Sequence, residues 1–239
     1  MIEFATISDK KELSNLWQMT FLEDSQVIEN FFNTVFPTVV TPIIRIDGEI
    51  ASSLFLLPCR IGDFKGKCVY CAMTKYAYRG KGYMKQLLDF SYDYCKENNL
   101  DFLFLVPAEI SLFDYYAKCG FEEFGISRIY TFSENKPDEK EKLKFDCEIE
   151  FDSSVIEYWQ NACVVYGGEI TDFGLVFDDE ETFIRNAKGN LDDIPESYKK
   201  SGVIIKGNIN FGEDYTPAMI KTENGQIKNM NCYVGITLE

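Results

Sequence analysis

The residues of this chain that could do chemistry fall in two short runs, Arg79-Gly-Lys-Gly-Tyr-Met84 and Tyr116-Ala-Lys-Cys-Gly-Phe121. The first run lies inside a charge anomaly. Residues 64–88 contain Lys65, Lys67, Lys75, Arg79, Lys81 and Lys85 and no carboxylate, which is +6 over 25 residues in a chain of net charge −15. The remaining 214 residues therefore carry −21. Cations gathered at a glycine-containing turn that opens a helix describe an anion site. The first turn of a helix presents N–H groups without intrahelical partners and the positive end of the helix dipole, and phosphate suits both.

The chain has no histidine. This excludes Ser–His–Asp and Cys–His catalysis and any zinc site that uses imidazole. A general base must be a carboxylate, an amine, a tyrosine, a chain terminus or water. The net charge argues against nucleic acid or an anionic membrane as partner. Eight cysteines are scattered through the chain, and the reading for a cytosolic protein is reduced, buried thiols. Cys68 and Cys71 form a C-x-x-C, but the run from Cys68 to Thr74 reads as a strand, and no second pair completes a metal site. No metal is expected. No apolar run approaches the length of a membrane span and the first residues lack a signal peptide pattern, so the expected location is the cytoplasm.

The elements that must position the two runs follow from periodicity and breakers. Ile2–Ile7 is a strand, Asp9-Lys-Lys-Glu12 caps a helix through about Phe21, and Val27–Phe36 is a second helix stopped by Pro37. Thr41–Ile46, Asp47-Gly48 and Glu49–Leu57 form a hairpin, followed by a strand at Lys67–Thr74. A helix from the glycine turn to about Asn98 carries Met84, Leu87, Leu88, Ser91 and Cys95 on one face. Asp101–Val106 is a buried strand, Ile110–Lys118 a helix ended by Gly120, and Phe121–Phe132 one or two strands. The polar stretch 133–144 reads as a linker. Beyond it come a helix at Ser153–Val165, strands at Glu169–Phe177 and Glu181–Ala187, a short helix at Pro195–Lys200, and strands at Val203–Ile209, Ala218–Lys221 and Cys232–Leu238.

Three phosphate chemistries use a turn of the first kind. A P-loop needs G-x-x-x-x-G-K-[ST], which is absent, and a dinucleotide fingerprint needs a third glycine where this chain has Lys85. The third is the pyrophosphate of coenzyme A. Here the chain resembles the GNAT N-acetyltransferases, whose signature [QR]-x-x-G-x-[GA] reads Arg79-Gly-Lys-Gly82-Tyr-Met84. Met84 departs from the small residue of that pattern, so its side chain must point away from the cofactor or the pyrophosphate must sit differently. The family's Y-x-[KR]-x-G-F reads Tyr116-Ala-Lys-Cys-Gly120-Phe121. Pro107-Ala-Glu109 replaces an Asn that many members place after the intervening strand.

The resemblance covers about residues 1–132. It implies an α/β (α+β) GNAT fold, a mixed central sheet flanked by helices, and acetyl-CoA as cosubstrate. It implies that Arg79, Gly80, Lys81, Gly82, Tyr83 and Met84 grip the pyrophosphate. The pantetheine arm is then placed between splayed strands beside Ala72, Met73 and Thr74, and Tyr116 protonates the departing thiolate. The ordinary phenol pKa of about 10 suits that acid. Residues 145–239 resemble the degenerate, strand-rich second domain of tandem members such as the enhanced-intracellular-survival type, on Pro217-Ala-Met-Ile-Lys221 and Tyr233-Val-Gly-Ile-Thr-Leu-Glu239. By that analogy the carboxylate at Glu239 is a candidate base. The expected activity is direct acetyl transfer to a primary amine on a small molecule or peptide. The alternatives are a CoA-binding regulatory module and a transferase using another nucleotide.

Overall fold

The computed structural model describes residues 1–133, 137–138, 140–178 and 182–234. The chain opens with strand β1 (Ile2–Phe4) and helices α1 (Lys10–Phe21) and α2 (Ser25–Thr34). A left-handed Leu22 (φ 56°) ends α1, and Asp24 starts α2 by accepting the Gln26 N–H at 2.7 Å. Only Leu22, Glu23 and Asp24 join the two helices. The meander β2 (Pro42–Ile46), β3 (Glu49–Ile61) and β4 (Phe64–Thr74) follows. Next come α3 (Tyr83–Glu97), β5 (Phe102–Leu105), α4 (Ser111–Lys118), β6 (Glu122–Phe124) and β7 (Ser127–Thr131).

The second half comprises β8 (Cys147–Phe151), α5 (Ser153–Val165), β9 (Glu169–Thr171), β10 (Gly174–Asp178), β11 (Thr182–Gly189), β12 (Ile204–Ile209), β13 (Glu213–Tyr215), β14 (Ala218–Lys221), α6 (Gly225–Lys228) and β15 (Cys232–Tyr233). The single strand expected at 169–177 is a hairpin. The chain turns at Asp172-Phe173, where the Thr171 hydroxyl donates to the Gly174 carbonyl at 2.6 Å. The helix expected at 195–200 is one 3₁₀ turn, Glu196–Tyr198. The strand expected through Leu238 is described only at Cys232–Tyr233, and residues 235–239 lie outside the described residues. Among the described residues no helix is long and apolar enough to cross a membrane.

Two mixed sheets result. The larger runs β1-β2-β3-β4-β5-β14-β6, and β8 extends it by pairing with the end of β3 that β2 does not cover, at Cys59–Ile61. The smaller runs β13-β7-β12-β11-β10-β9. The sheets do not follow the expected boundaries of 1–132 and 145–239. β7 precedes the polar segment 133–144 yet lies in the smaller sheet, and β14 follows it yet lies between β5 and β6 in the larger one. The reason is hydrogen bonding. β5 and β6 each leave an edge that sequence-local strands do not pair, and β14 satisfies both.

The larger sheet is packed on both faces. On one, α1, α2 and α5 bury an aromatic cluster in which Trp17 lies 4.9 Å from Phe31, 5.5 Å from Phe55 and 5.6 Å from Tyr70, centroid to centroid. On the other, α3 and α4 bury Leu87, Leu88, Cys95 and Tyr116 against Leu56, Val69, Leu103 and Leu105. The smaller sheet has its own core, with Val176, Ile184, Ile205 and Phe211. β4 and β5 approach closely at Gly66, where a Cβ would overlap the Phe102 ring. Gly66→Val is therefore expected to cost about 1–3 kcal/mol through overpacking, read as a lower urea midpoint with an unchanged slope.

Candidate active site

The site begins where a ladder stops. β4 and β5 pair in parallel at Gly66↔Phe102, Lys67↔Leu103 and Cys68↔Phe104, and no further, although β4 continues to Thr74. Two features of the sequence end the pairing. Pro107 has no N–H to donate, and β5 ends at Leu105, two residues before it. On β4 a bulge sets Cys71 and Ala72 against Leu54 alone, between the pairs Phe55↔Tyr70 and Ser53↔Met73. Cys71 itself is left-handed, with φ 47°. A bulge bends and twists its strand, here away from β5. The far end stays closed, because the Asp101 N–H donates to the Lys65 carbonyl at 2.7 Å and the Lys65 N–H donates to Asp101 Oδ2 at 3.0 Å.

The opened strands enclose a cavity of about 270 Å³. Val69, Tyr70, Cys71 and Ala72 line it from β4, with Leu105, Val106 and Ala108 from β5 and its exit. Leu112 and Tyr116 of α4 form one wall, and Trp17, Phe21 and Glu23 at the end of α1 form the other. Tyr116 is buried, packs on Phe121 at 5.9 Å and keeps its phenol protonated. Burial, with a smaller contribution from Cys119, pushes its pKa up to about 12. Burial likewise raises the thiols of Cys68 and Cys71, which leaves neither as a thiolate nucleophile at neutral pH.

The glycine turn lies between β4 and α3. Gly80 (φ 74°) and Gly82 (φ 79°) are both left-handed, and Gly82 caps α3. Space is open where a Cβ would stand at either position, so a ligand can approach the backbone. Arg79 ties the turn to β4 by donating from Nε to the Thr74 carbonyl at 3.1 Å. Its guanidinium lies 5.8 Å from the Tyr76 ring, and the Lys81 ammonium lies 5.0 Å from the Tyr78 ring. Tyr83 and Met84 are half-buried and pack on the core beneath α3, so the bulk at Met84 is directed inward. The six cations of residues 64–88 do not form one patch. Lys65 and Lys67 stand at the closed end of β4. Lys75 is paired with Glu49 and Glu12 at 2.9 and 3.3 Å, and Lys85 with Asp89 at 2.6 Å. Arg79 and Lys81 make no ion pair among the described residues and supply the exposed charge of the turn.

Of the strand residues expected beside the cosubstrate, Ala72 lines the cavity. Met73 is buried, and its carbonyl accepts from the Ser52 hydroxyl at 2.9 Å. The Thr74 hydroxyl lies 2.8 Å from that of Ser52. Glu239 lies outside the described residues. Glu23 is a carboxylate that sequence reasoning did not single out. It is half-buried in the α1–α2 connection and faces the cavity. Burial raises its pKa above the ordinary carboxylate value. The Asp24 charge adds to the rise, while the Asp24 N–H at 3.1 Å and the Arg185 guanidinium oppose it. The only sequence signal was position, just beyond the helix end predicted near Phe21.

The splayed strands and the buried phenol of Tyr116 line the cleft, and the left-handed glycine turn stands at the N-terminus of α3, outside the residues that line the cavity. The profile described as "Acetyltransferase (GNAT) domain" matches residues 1–124, and the chain belongs to that family. The fold agrees with a crystal structure from Enterococcus faecalis V583 described as a conserved protein of unknown function and probable N-acyltransferase. The two are 9% identical with a TM-score of 0.67, over 93% of this chain and 72% of that one. A GNAT-family acetyltransferase from Staphylococcus aureus MU50 is 22% identical with a TM-score of 0.44, over 52% of this chain and 84% of that one. A GNAT N-acetyltransferase from Escherichia coli in complex with CoA is 15% identical with a TM-score of 0.43, over 51% and 68%. No curated protein matches the chain.

Gly82→Ala tests the turn. With open space at the Cβ, its cost is torsional, about 1–2 kcal/mol for a left-handed backbone, read as a reduced urea midpoint with the helical circular dichroism retained.

Proposed function

We propose that this chain is an N-acetyltransferase that moves an acetyl group from acetyl-CoA to a primary amine by direct attack. The observation that carries the reading is the cleft left by the early end of β4–β5 pairing, lined by Tyr116. The turn fits a pyrophosphate. It has open backbone at Gly80 and Gly82, unshared cations at Arg79 and Lys81, and the first-turn N–H groups of α3, including those of Tyr83 and Met84. Pantetheine would run along the unpaired part of β4, beside Ala72 and the backbone toward Met73 and Thr74. The acceptor nitrogen attacks the thioester carbonyl carbon, forming the C–N bond as the C–S bond breaks. Tyr116 gives its proton to the departing sulfur and regains one from the nitrogen. The buried thiols make an acyl-cysteine route unfavourable. Residues 1–132 carry the cosubstrate in this reading. Residues 145–239 act as a degenerate GNAT-like unit that completes the sheet, and Glu239 is a candidate base to be tested by trimming the last three residues.

Acetyl-CoA should stabilise the fold by linkage, by about 2.7 kcal/mol at a concentration about 100-fold above Kd. A melting temperature indifferent to acetyl-CoA would overturn the proposal. Arg79→Ala and Lys81→Ala should each raise the KM for acetyl-CoA with little change in kcat. Tyr116→Phe should lower kcat about 100-fold or more with the melting shift retained, and an unchanged kcat would remove its role. Binding without turnover across a panel of amines would point instead to a CoA-sensing module.

A further inference from the structure

We infer that Glu23, set among Trp17, Phe21 and Tyr70, is the proton acceptor for the incoming amine, and that the acceptor is a monoamine on an apolar body. This rests on the acetyltransferase reading and adds its acceptor side. Glu23 is the one carboxylate among the described residues that line the cavity. It stands on the wall opposite Tyr116, so the group that takes the amine's proton and the group that supplies the thiolate's lie on the two sides of the space where the bonds change. A single carboxylate matches a single ammonium, whereas a polyamine would need several. The other lining side chains offer an ammonium aromatic faces rather than further charges. Trp17, Phe21, Val106 and Leu112 give few partners for sugar hydroxyls, and a polar acceptor would lose its hydrogen bonds to water there. Phe21, at 46% exposure, stands at the mouth, where the acceptor's apolar body would rest.

The proton count closes. The ammonium gives one proton to the Glu23 carboxylate, and the freed lone pair forms the C–N bond as C–S breaks. The second proton shed by nitrogen replaces the one Tyr116 gives to sulfur. Glu23 then returns its proton to water, so the net products are the amide, CoA thiol and one released proton.

The groups that face Glu23 are Asp24 in its own connection, Tyr70 and Cys71 on β4, Tyr158 on α5 and Arg185 on β11. A carboxyl whose pKa is higher folded than unfolded stabilises the fold while protonated. That contribution is lost as pH rises through the folded pKa. Glu23→Gln should therefore melt at or above the wild-type temperature at neutral pH, which separates loss of chemistry from loss of fold.

The test is steady-state acetyl transfer from acetyl-CoA to phenethylamine and to glucosamine by wild type, Glu23→Gln and Glu23→Asp. The wild type should favour phenethylamine in kcat/KM by about tenfold or more. Glu23→Gln should lose about 100-fold or more in kcat on phenethylamine and lose the acid-side limb of the pH profile, while acetyl-CoA still raises its melting temperature. Glu23→Asp should recover part of the activity. Unchanged kcat in Glu23→Gln, a change confined to KM, or a preference for glucosamine overturns this inference alone. A wild type whose melting temperature ignores acetyl-CoA overturns the wider reading.

Discussion

The site depends on three backbone pairs and the absence of a fourth. β4 and β5 are held together at Gly66, Lys67 and Cys68, and then separate within the same sheet. If the ladder continued, Ala72 would pair with the chain near Pro107 and there would be no cleft. Continuation is blocked on both strands, by the missing donor at Pro107 and by the bulge at Cys71-Ala72. An unpaired strand edge inside a protein is costly unless something else satisfies it. Beyond Ala72 the chain supplies part of what the ladder would have given, since the Met73 carbonyl accepts from the Ser52 hydroxyl and the Thr74 carbonyl from Arg79 Nε. The price of this opening is met elsewhere in the sheet, where β14 pairs the other edge of β5 along Leu103–Leu105.

Charge is distributed to match. The +6 of residues 64–88 looks like one patch in sequence, but eleven residues of extended strand separate its members, and carboxylates from α1, β3 and α3 neutralise two of them. Of the remaining four, Lys65 and Lys67 stand at the far, closed end of β4, and Arg79 and Lys81 stand on a turn whose backbone already favours an anion. Ion pairs at this level of exposure contribute little to stability. They do remove competing cations, so the positive field is concentrated at the turn. Across the cleft the situation is reversed. One carboxylate sits in a largely apolar wall, and a phenol stays protonated because it is buried.

Local chemistry was readable in the sequence, and long-range pairing was not. The helix that follows Gly82, the helix carrying Tyr116 and its stop at Gly120 were legible because caps, breakers and periodicity lie within a few residues of one another. The turn at Asp172-Phe173 was hidden because Phe173, at the turn itself, reads as the start of the apolar run that continues through Leu175, Val176 and Phe177. The insertion of β14 between β5 and β6 had no local signature, since it is decided by which edges other strands leave unpaired. Glu23 was invisible for a related reason. It is one of 39 acidic residues, and only the packing of α1 against β4 places it on the cavity.

The same long-range contacts make the second half of the chain part of the site's frame. Lys221, at the end of β14, donates to the Cys119 carbonyl at 2.8 Å and pairs with Asp89 at 3.1 Å, which ties the C-terminus of the Tyr116 helix to α3. On the opposite face the hydroxyl of Tyr158 in α5 lies 2.9 Å from that of Tyr70, a residue of the cavity wall. Both contacts cross between segments far apart in sequence, and both hold elements that carry a wall of the cleft. A pair of buried hydroxyls satisfies itself only in register, because each loses its hydrogen bond if α5 shifts. The position of the aromatic wall is thus set by α5, and the position of Tyr116 by β14. Residues 145–239 shape the cleft by fixing its two sides from behind, where no ligand contact is needed.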